Sequence, residues 1–279
     1  LRAHRGERSL PAEPLDGVHR VVFLGDSITY SGQYIELVET YLRLKDPALS
    51  CEFLNLGLPS ETASGLSEPG HAGGTFPRPD LHERLDRVLK KARPDLVVAC
   101  YGMNDGIYHP FSEDRFSKYQ EGIRFIRNRV TATGAKILHL TPPVFDPEPI
   151  RAHTSPAGLA EYRQPFEGYD AVLARYSEWL LSRRADGWDV VDIHGPMSRY
   201  LAEQRMRDPR FRLAADGVHI DANGHAIIAR LLLEHWHEIS REPANLTGLE
   251  GLISADPRGQ DVLALVRKKE RILKDSWLT

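Results

Sequence analysis

Short apolar runs alternate along this chain with longer amphipathic stretches. Val21-Val22-Phe23-Leu24 is the clearest run, four consecutive apolar residues of the kind found in a strand buried on both faces. The same reading predicts strands near 20–25, 51–56, 95–101, 136–141 and 188–193, each rich in Val, Ile, Leu or Phe. Helical patterns fall between and after them, near 32–45, 80–92, 114–132, 168–185, 196–206 and 222–239. Pro142-Pro143 stops the fourth strand, because proline cannot continue a ladder. Strand-helix alternation of this kind predicts an α/β protein, a three-layer α/β/α sandwich around a central five-stranded parallel sheet.

The ends of the chain read differently. Residues 1–18 are an N-terminal extension, 19–240 the main domain, and 241–279 a connector and C-terminal helix. The stretch 241–260 is rich in Gly, Pro, Asn and Asp. Beyond it Val262, Leu263, Leu265, Val266, Ile272 and Leu273 recur at helical spacing, the pattern of a terminal helix docked on the domain, with a linker helix toward a partner domain as the alternative.

Bulk properties exclude more than they assign. A formal net charge of -3 and an isoelectric point near 6.5 leave no nucleic-acid footprint, so no nucleic-acid partner is expected. No apolar run reaches the length of a membrane span, so the chain is expected to be soluble. Its first residue is Leu1, which reads as trimming of a tag, a signal peptide or a larger precursor. The compartment stays open, a periplasmic or secreted location being what signal removal would give, and so does the oligomeric state. Cys51 and Cys100 fall at opposite ends of their strands, so no disulfide is expected between them.

Four short blocks carry candidate chemistry. Gly25-Asp26-Ser27-Ile28-Thr29 sets a hydroxyl at the carboxyl edge of the first strand, where open α/β sheets bind ligands. Asn55-Leu56-Gly57 follows the second strand and Tyr101-Gly102-Met103-Asn104-Asp105 the third. Asp216-Gly217-Val218-His219 leads into the last helix of the main domain. Asp216 and His219 are close enough on a turn for the carboxylate to accept a hydrogen bond from Nδ1, leaving Nε2 to take a proton from Ser27. Taken alone, the pair also fits a helix cap beside a solvent-facing imidazole. Asp26 and Asp105 read as loop-bracing carboxylates.

Other chemistries lack their residues. Twelve histidines are present, but His235 and His237 are two apart and His219 and His225 six apart, which are not ligand spacings, so no metal is expected. His139 and His194, at strand ends, read as hydrogen-bonded structural residues. There is no glycine-rich dinucleotide fingerprint, no phosphate loop and no Gly-x-Ser-x-Gly elbow, and no cofactor is expected.

In order and position the four blocks resemble those of the SGNH hydrolases, also called the GDSL esterase and lipase family, over roughly residues 19 to 238. The resemblance implies a flavodoxin-like fold and an ester hydrolase. It implies Ser27 as nucleophile, His219 as base and Asp216 as its orienting acid. The oxyanion donors it implies are the backbone amides of Ser27 and Gly57 and the side-chain amide of Asn104. Family members often carry a second glycine a few residues after the first, and here Ser60 occupies that neighbourhood.

Two long loops are expected to shape the substrate site. One is Glu68 to Pro77 and the other spans 142–167. His71, Tyr108 and Phe145 are the candidate substrate contacts. A mixture of polar and aromatic residues suits a small or sugar-borne ester, such as an acetyl group on a carbohydrate, better than a long acyl chain. A lipase, thioesterase or lysophospholipase of the same mechanism, or a carbohydrate-binding module without turnover, are the alternatives.

Overall fold

The structure, a computed structural model, describes residues 15–242 and 245–278. Most of the 1–18 extension therefore lies outside the described residues. Five parallel strands form one sheet: β1 (Arg20–Gly25), β2 (Glu52–Asn55), β3 (Leu96–Cys100), β4 (Lys136–Leu140) and β5 (Asp189–Val191), in the order β2-β1-β3-β4-β5. This is the flavodoxin-like order, and its topological switch point lies between β1 and β3. The strands read as apolar runs because both faces are covered, and Val21, Val22, Phe23 and Leu24 are all fully buried.

Nine α-helices are described: α1 (Ser27–Ser31), α2 (Gln33–Lys45), α3 (Leu81–Ala92), α4 (Glu113–Ala132), α5 (Tyr169–Ser182), α6 (His194–Arg207), α7 (Ala222–His235), α8 (Leu249–Ala255) and α9 (Gly259–Leu278). Helix α2 packs against α7, α8 and α9. Helix α3 packs against α4, and α4 meets α5 through Tyr119 stacked on Tyr176 at 4.4 Å. These are the outer layers of the expected sandwich.

Several boundaries differ from the sequence reading for local reasons. Helix α6 starts at His194 rather than near 196, because the Thr141 hydroxyl accepts hydrogen bonds from the Ile193 and His194 amides and Asp192 accepts one from Gly195. The connector over 241–260 contains a helix, α8, whose Leu249 and Ile253 are buried in the common core. Cys51 and Cys100 are both buried free thiols. His139 differs from its expectation: among the described residues neither ring nitrogen has a hydrogen-bond partner. Its ring stacks on Trp188 at 5.3 Å, and burial, aided by the Arg127 charge, holds its pKa down at about 3.

Candidate active site

Strand β1 ends at Gly25, and Asp26 turns the chain into α1. The Asp26 carboxylate caps that helix by accepting from the Ile28 amide at 2.9 Å, which places Ser27 in the first helical position. The Ser27 amide is one of the orphan donors of a helix start, and among the described residues it has no partner. Asn55, at the end of β2, secures the other end of α1 by donating to the carbonyls of Thr29 and Tyr30.

His219 and Asp216 arrive from the loop before α7. The His219 Nε2 lies 2.8 Å from the Ser27 hydroxyl, and its Nδ1 lies 2.6 Å from Asp216 Oδ2. A carboxylate only accepts, so Nδ1 carries the proton and Nε2 presents its lone pair to Ser27. Asp216 Oδ1 accepts from the Val218 and His219 amides. Partial burial opposes its charge, but the His219 ring and these amides outweigh that and hold its carboxyl below the usual range. The histidine and aspartate side chains remain about half exposed, at 54% and 56%, so the three groups stand at an open surface.

The loop carrying them is fastened from beneath by residues the sequence reading missed. Asp146 is fully buried and takes both carboxylate oxygens to Arg205, at 2.7 and 2.8 Å. Its own amide donates to the Gly217 carbonyl at 2.8 Å. Gly217 has a φ of 83°, and a Cβ there would press on Ile150 and the Asp146 carbonyl. The chain therefore needs glycine between Asp216 and His219.

Asn104 stands at the end of β3, across the switch point from Ser27, and is buried. Its Oδ1 accepts from Arg78 Nη1 at 3.1 Å and from the Tyr108 hydroxyl at 3.0 Å, while Nδ2 donates to the Glu61 carbonyl at 3.3 Å. Glu61 is itself buried, paired with Arg84 at 2.6 Å and bonded to the Tyr101 hydroxyl.

Gly57 corrects the sequence reading. Its amide donates to Asn55 Oδ1 at 3.0 Å, and a Cβ at this position would meet the Tyr30 amide nitrogen and, at 2.7 Å, the Thr29 carbonyl carbon. Gly57 is thus a packing glycine that lets the loop lie against α1, and its amide is already used. The Ser60 amide in this loop has no partner among the described residues. Ser60 sits at a φ of 65°, a conformation that non-glycine residues seldom adopt and that is often found at functional sites.

The three substrate-contact candidates separate. Tyr108 lines a cavity of about 740 Å³ with Glu68, His109, Tyr162 and Arg163, and through its hydroxyl it joins that cavity to Asn104. Ile107 and Tyr108 both have positive φ, at 47° and 57°, so backbone strain is concentrated in this wall. Phe145 is 1% exposed and packs edge-on beneath Tyr108 at 6.2 Å, a support and not a contact surface. His71 turns back on its own loop, with Nδ1 3.0 Å from the Phe76 carbonyl and its ring against Phe76, and does not line the cavity. Asp105, as expected, braces a loop, accepting from the Ser64 amide at 2.7 Å. Among the described residues no group of His, Cys, Asp or Glu could hold a metal ion.

A hydroxyl, an imidazole and a carboxylate in series at the switch point of a doubly wound sheet are the parts that a serine-nucleophile hydrolase would use. The sequence profile of the GDSL-like Lipase/Acylhydrolase family matches residues 23–227, and the chain belongs to that family of ester-bond hydrolases. No curated protein matches it. Among solved structures it is similar to an acetylxylan esterase from Geobacillus stearothermophilus, at 18% identity and a TM-score of 0.57, over 81% of this chain and 95% of that one. It is also similar to a second acetyl xylan esterase, at 20% identity and a TM-score of 0.56, over 79% and 99%. A third likeness, at 23% identity and a TM-score of 0.58, is to a gut microbial diltiazem-metabolizing enzyme. The match covers 78% of this chain but only 47% of that enzyme. At these identities the likenesses establish the shared SGNH hydrolase fold. No helix among the described residues is long and apolar enough to cross a membrane.

Proposed function

We propose that this protein removes short acyl groups, acetyl above all, from hydroxyls of a carbohydrate by way of an acyl-serine. Ser27 Oγ attacks the ester carbonyl while His219 Nε2 takes its proton, and Asp216 steadies the imidazolium that forms. His219 then returns the proton to the leaving alcohol oxygen. Water attacks the acyl-serine in the second half, with the same histidine as base. The oxyanion of each tetrahedral intermediate is held by the amides of Ser27 and Ser60 and by Nδ2 of Asn104.

The observation that carries the hydrolytic reading is the 2.8 Å and 2.6 Å relay from Ser27 through His219 to Asp216. The choice of substrate is supported by the openness of those groups and by the mixed lining of the cavity beside Tyr108, where Glu68, His109, Tyr162 and Arg163 alternate with Pro69, Ile107 and Pro165. Two structural neighbours named as acetylxylan esterases point the same way.

Purified protein should release p-nitrophenol from its acetate ester, acetate should be preferred to octanoate, and acetylated xylooligosaccharides should release acetic acid. Ser27→Ala should lower kcat by about 10³-fold or more. An inert wild type, or a Ser27→Ala variant of unchanged rate, contradicts the mechanism. Preference for octanoate contradicts the substrate.

A further inference from the structure

A side-chain amide used as an oxyanion donor has a weakness that a backbone amide lacks. Rotation by 180° about its last bond exchanges Nδ2 for Oδ1 at almost no steric cost and turns a donor into an acceptor. An oxyanion facing the wrong end would be repelled. Asn104 is protected against this from both sides. Its Oδ1 faces Arg78 Nη1 at 3.1 Å, and a guanidinium can only donate. Its Nδ2 faces the Glu61 carbonyl at 3.3 Å, which can only accept. A flipped amide would set NH₂ against guanidinium and carbonyl against carbonyl, losing both bonds.

Arg78 is built for this position. It lies in the loop between β2 and α3, and its side chain is 7% exposed. Glu68 holds it by two parallel bonds, to Nε at 2.7 Å and Nη2 at 2.6 Å, which leaves Nη1 directed at Asn104. Its guanidinium also lies 5.4 Å from the centre of the Tyr108 ring. The Tyr108 hydroxyl is a second donor to Oδ1, but a hydroxyl can also accept and would tolerate a flipped amide. Arg78 is the partner that would not. Its positive charge on Oδ1 also polarises the amide, so the remaining N–H becomes a stronger donor.

We infer that Arg78, clamped by Glu68, is a positioning residue for catalysis that fixes the Asn104 amide with its N–H toward the oxyanion. It acts only through Asn104, and the inference rests on the esterase reading above. Arg78→Met should lower kcat for p-nitrophenyl acetate by about 10- to 100-fold, short of the 10²–10³-fold typical of losing an oxyanion donor outright, with KM changed less than about threefold. Arg78→Lys, which keeps one donor but not the fork, should lose less.

The decisive comparison is a double-mutant cycle. In an Asn104→Ala background Arg78→Met should change kcat by less than about twofold, because the amide it orients is gone. A structural role alone would give the same fold-loss in both backgrounds, and that result overturns the inference, as does an Arg78→Met enzyme within twofold of wild type. Should Arg78→Met fail to fold, the same cycle run with Arg78→Lys decides the matter by the same criterion. Wild type and Ser27→Ala are measured alongside. An inert wild type or an active Ser27→Ala overturns the esterase reading and the inference together, whereas a normal pair with an additive cycle overturns the inference alone.

Discussion

Asp26 sits beside Ser27, the proposed nucleophile, with 3% of its surface exposed. Burial pushes its carboxyl up to about 7, the Ile28 amide opposes that rise, and Asp105 adds to it. An unfolded aspartate titrates near 3.8, so between about pH 4 and 7 the folded protein holds a proton that the unfolded chain has released. Stability from this group therefore falls as pH rises through that window and levels off above it. Asp26→Asn keeps the helix cap without the charge, so its melting temperature should gain on wild type between pH 5 and pH 8; parallel profiles would exclude the effect. At this scale the relay itself was legible in the sequence, because Asp216 and His219 are three residues apart and a strand-end serine needs a base. The proposed oxyanion site was legible only in part. A free backbone amide leaves no mark on residue identity, so nothing in the sequence separates Gly57, whose amide Asn55 occupies, from Ser60, the donor proposed in its place. Arg78 was hidden for another reason, since its contact with Asn104 crosses two loops whose path no periodicity describes.

Helix α1 is five residues long and too short to be stable alone, so its neighbours determine where Ser27 points. The end of β2 and the loop after it supply two of them: Asn55 secures the carbonyls of Thr29 and Tyr30, and Gly57 lets the chain pass directly against the helix backbone. A methyl group at Gly57 would press on main-chain atoms of Thr29 and Tyr30 and on the Thr29 Cβ, none of them the far end of a flexible side chain. Gly57→Ala should cost about 1–3 kcal/mol of stability, read by urea unfolding, and should depress kcat as α1 shifts. A variant with wild-type stability would contradict this packing role. The strands were the most legible elements because both their faces are apolar. Helix α8 was not, since its seven residues are too few to show a period among the surrounding Gly, Pro, Asn and Asp.

Across the whole molecule, the C-terminal helices extend the fold beyond the family match at residue 227. Leu263 and Val266 of α9 are 6% and 3% exposed, and Leu263 belongs to the same buried cluster as Leu37 and Val38 of α2. Across this seam Lys269 reaches the fully buried Glu39, at 2.6 Å to each carboxylate oxygen, and Glu39 also accepts from Arg43. Lys274 donates to the Tyr30 carbonyl and lies 4.2 Å from the centre of the Tyr30 ring, so α9 touches the helix that carries Ser27. The periodic apolar positions after 260 were enough to read a docked helix, but not that it reaches α1. Leu263→Ala should destabilise the protein by about 2–5 kcal/mol, read by chemical unfolding, while kcat of the folded enzyme stays near wild type. An unchanged unfolding midpoint would show α9 to be peripheral.

Every step of the proposed reaction depends on Ser27 becoming acylated. Rapid acid quenching of protein mixed with p-nitrophenyl acetate, followed by peptide mass spectrometry, reads that event directly. The expected result is one acetyl group on Ser27 that forms and decays with turnover, absent in Ser27→Ala and formed far more slowly in His219→Ala. Turnover without any adduct on Ser27 that persists in Ser27→Ala, or an acetyl group carried by another residue, would contradict it.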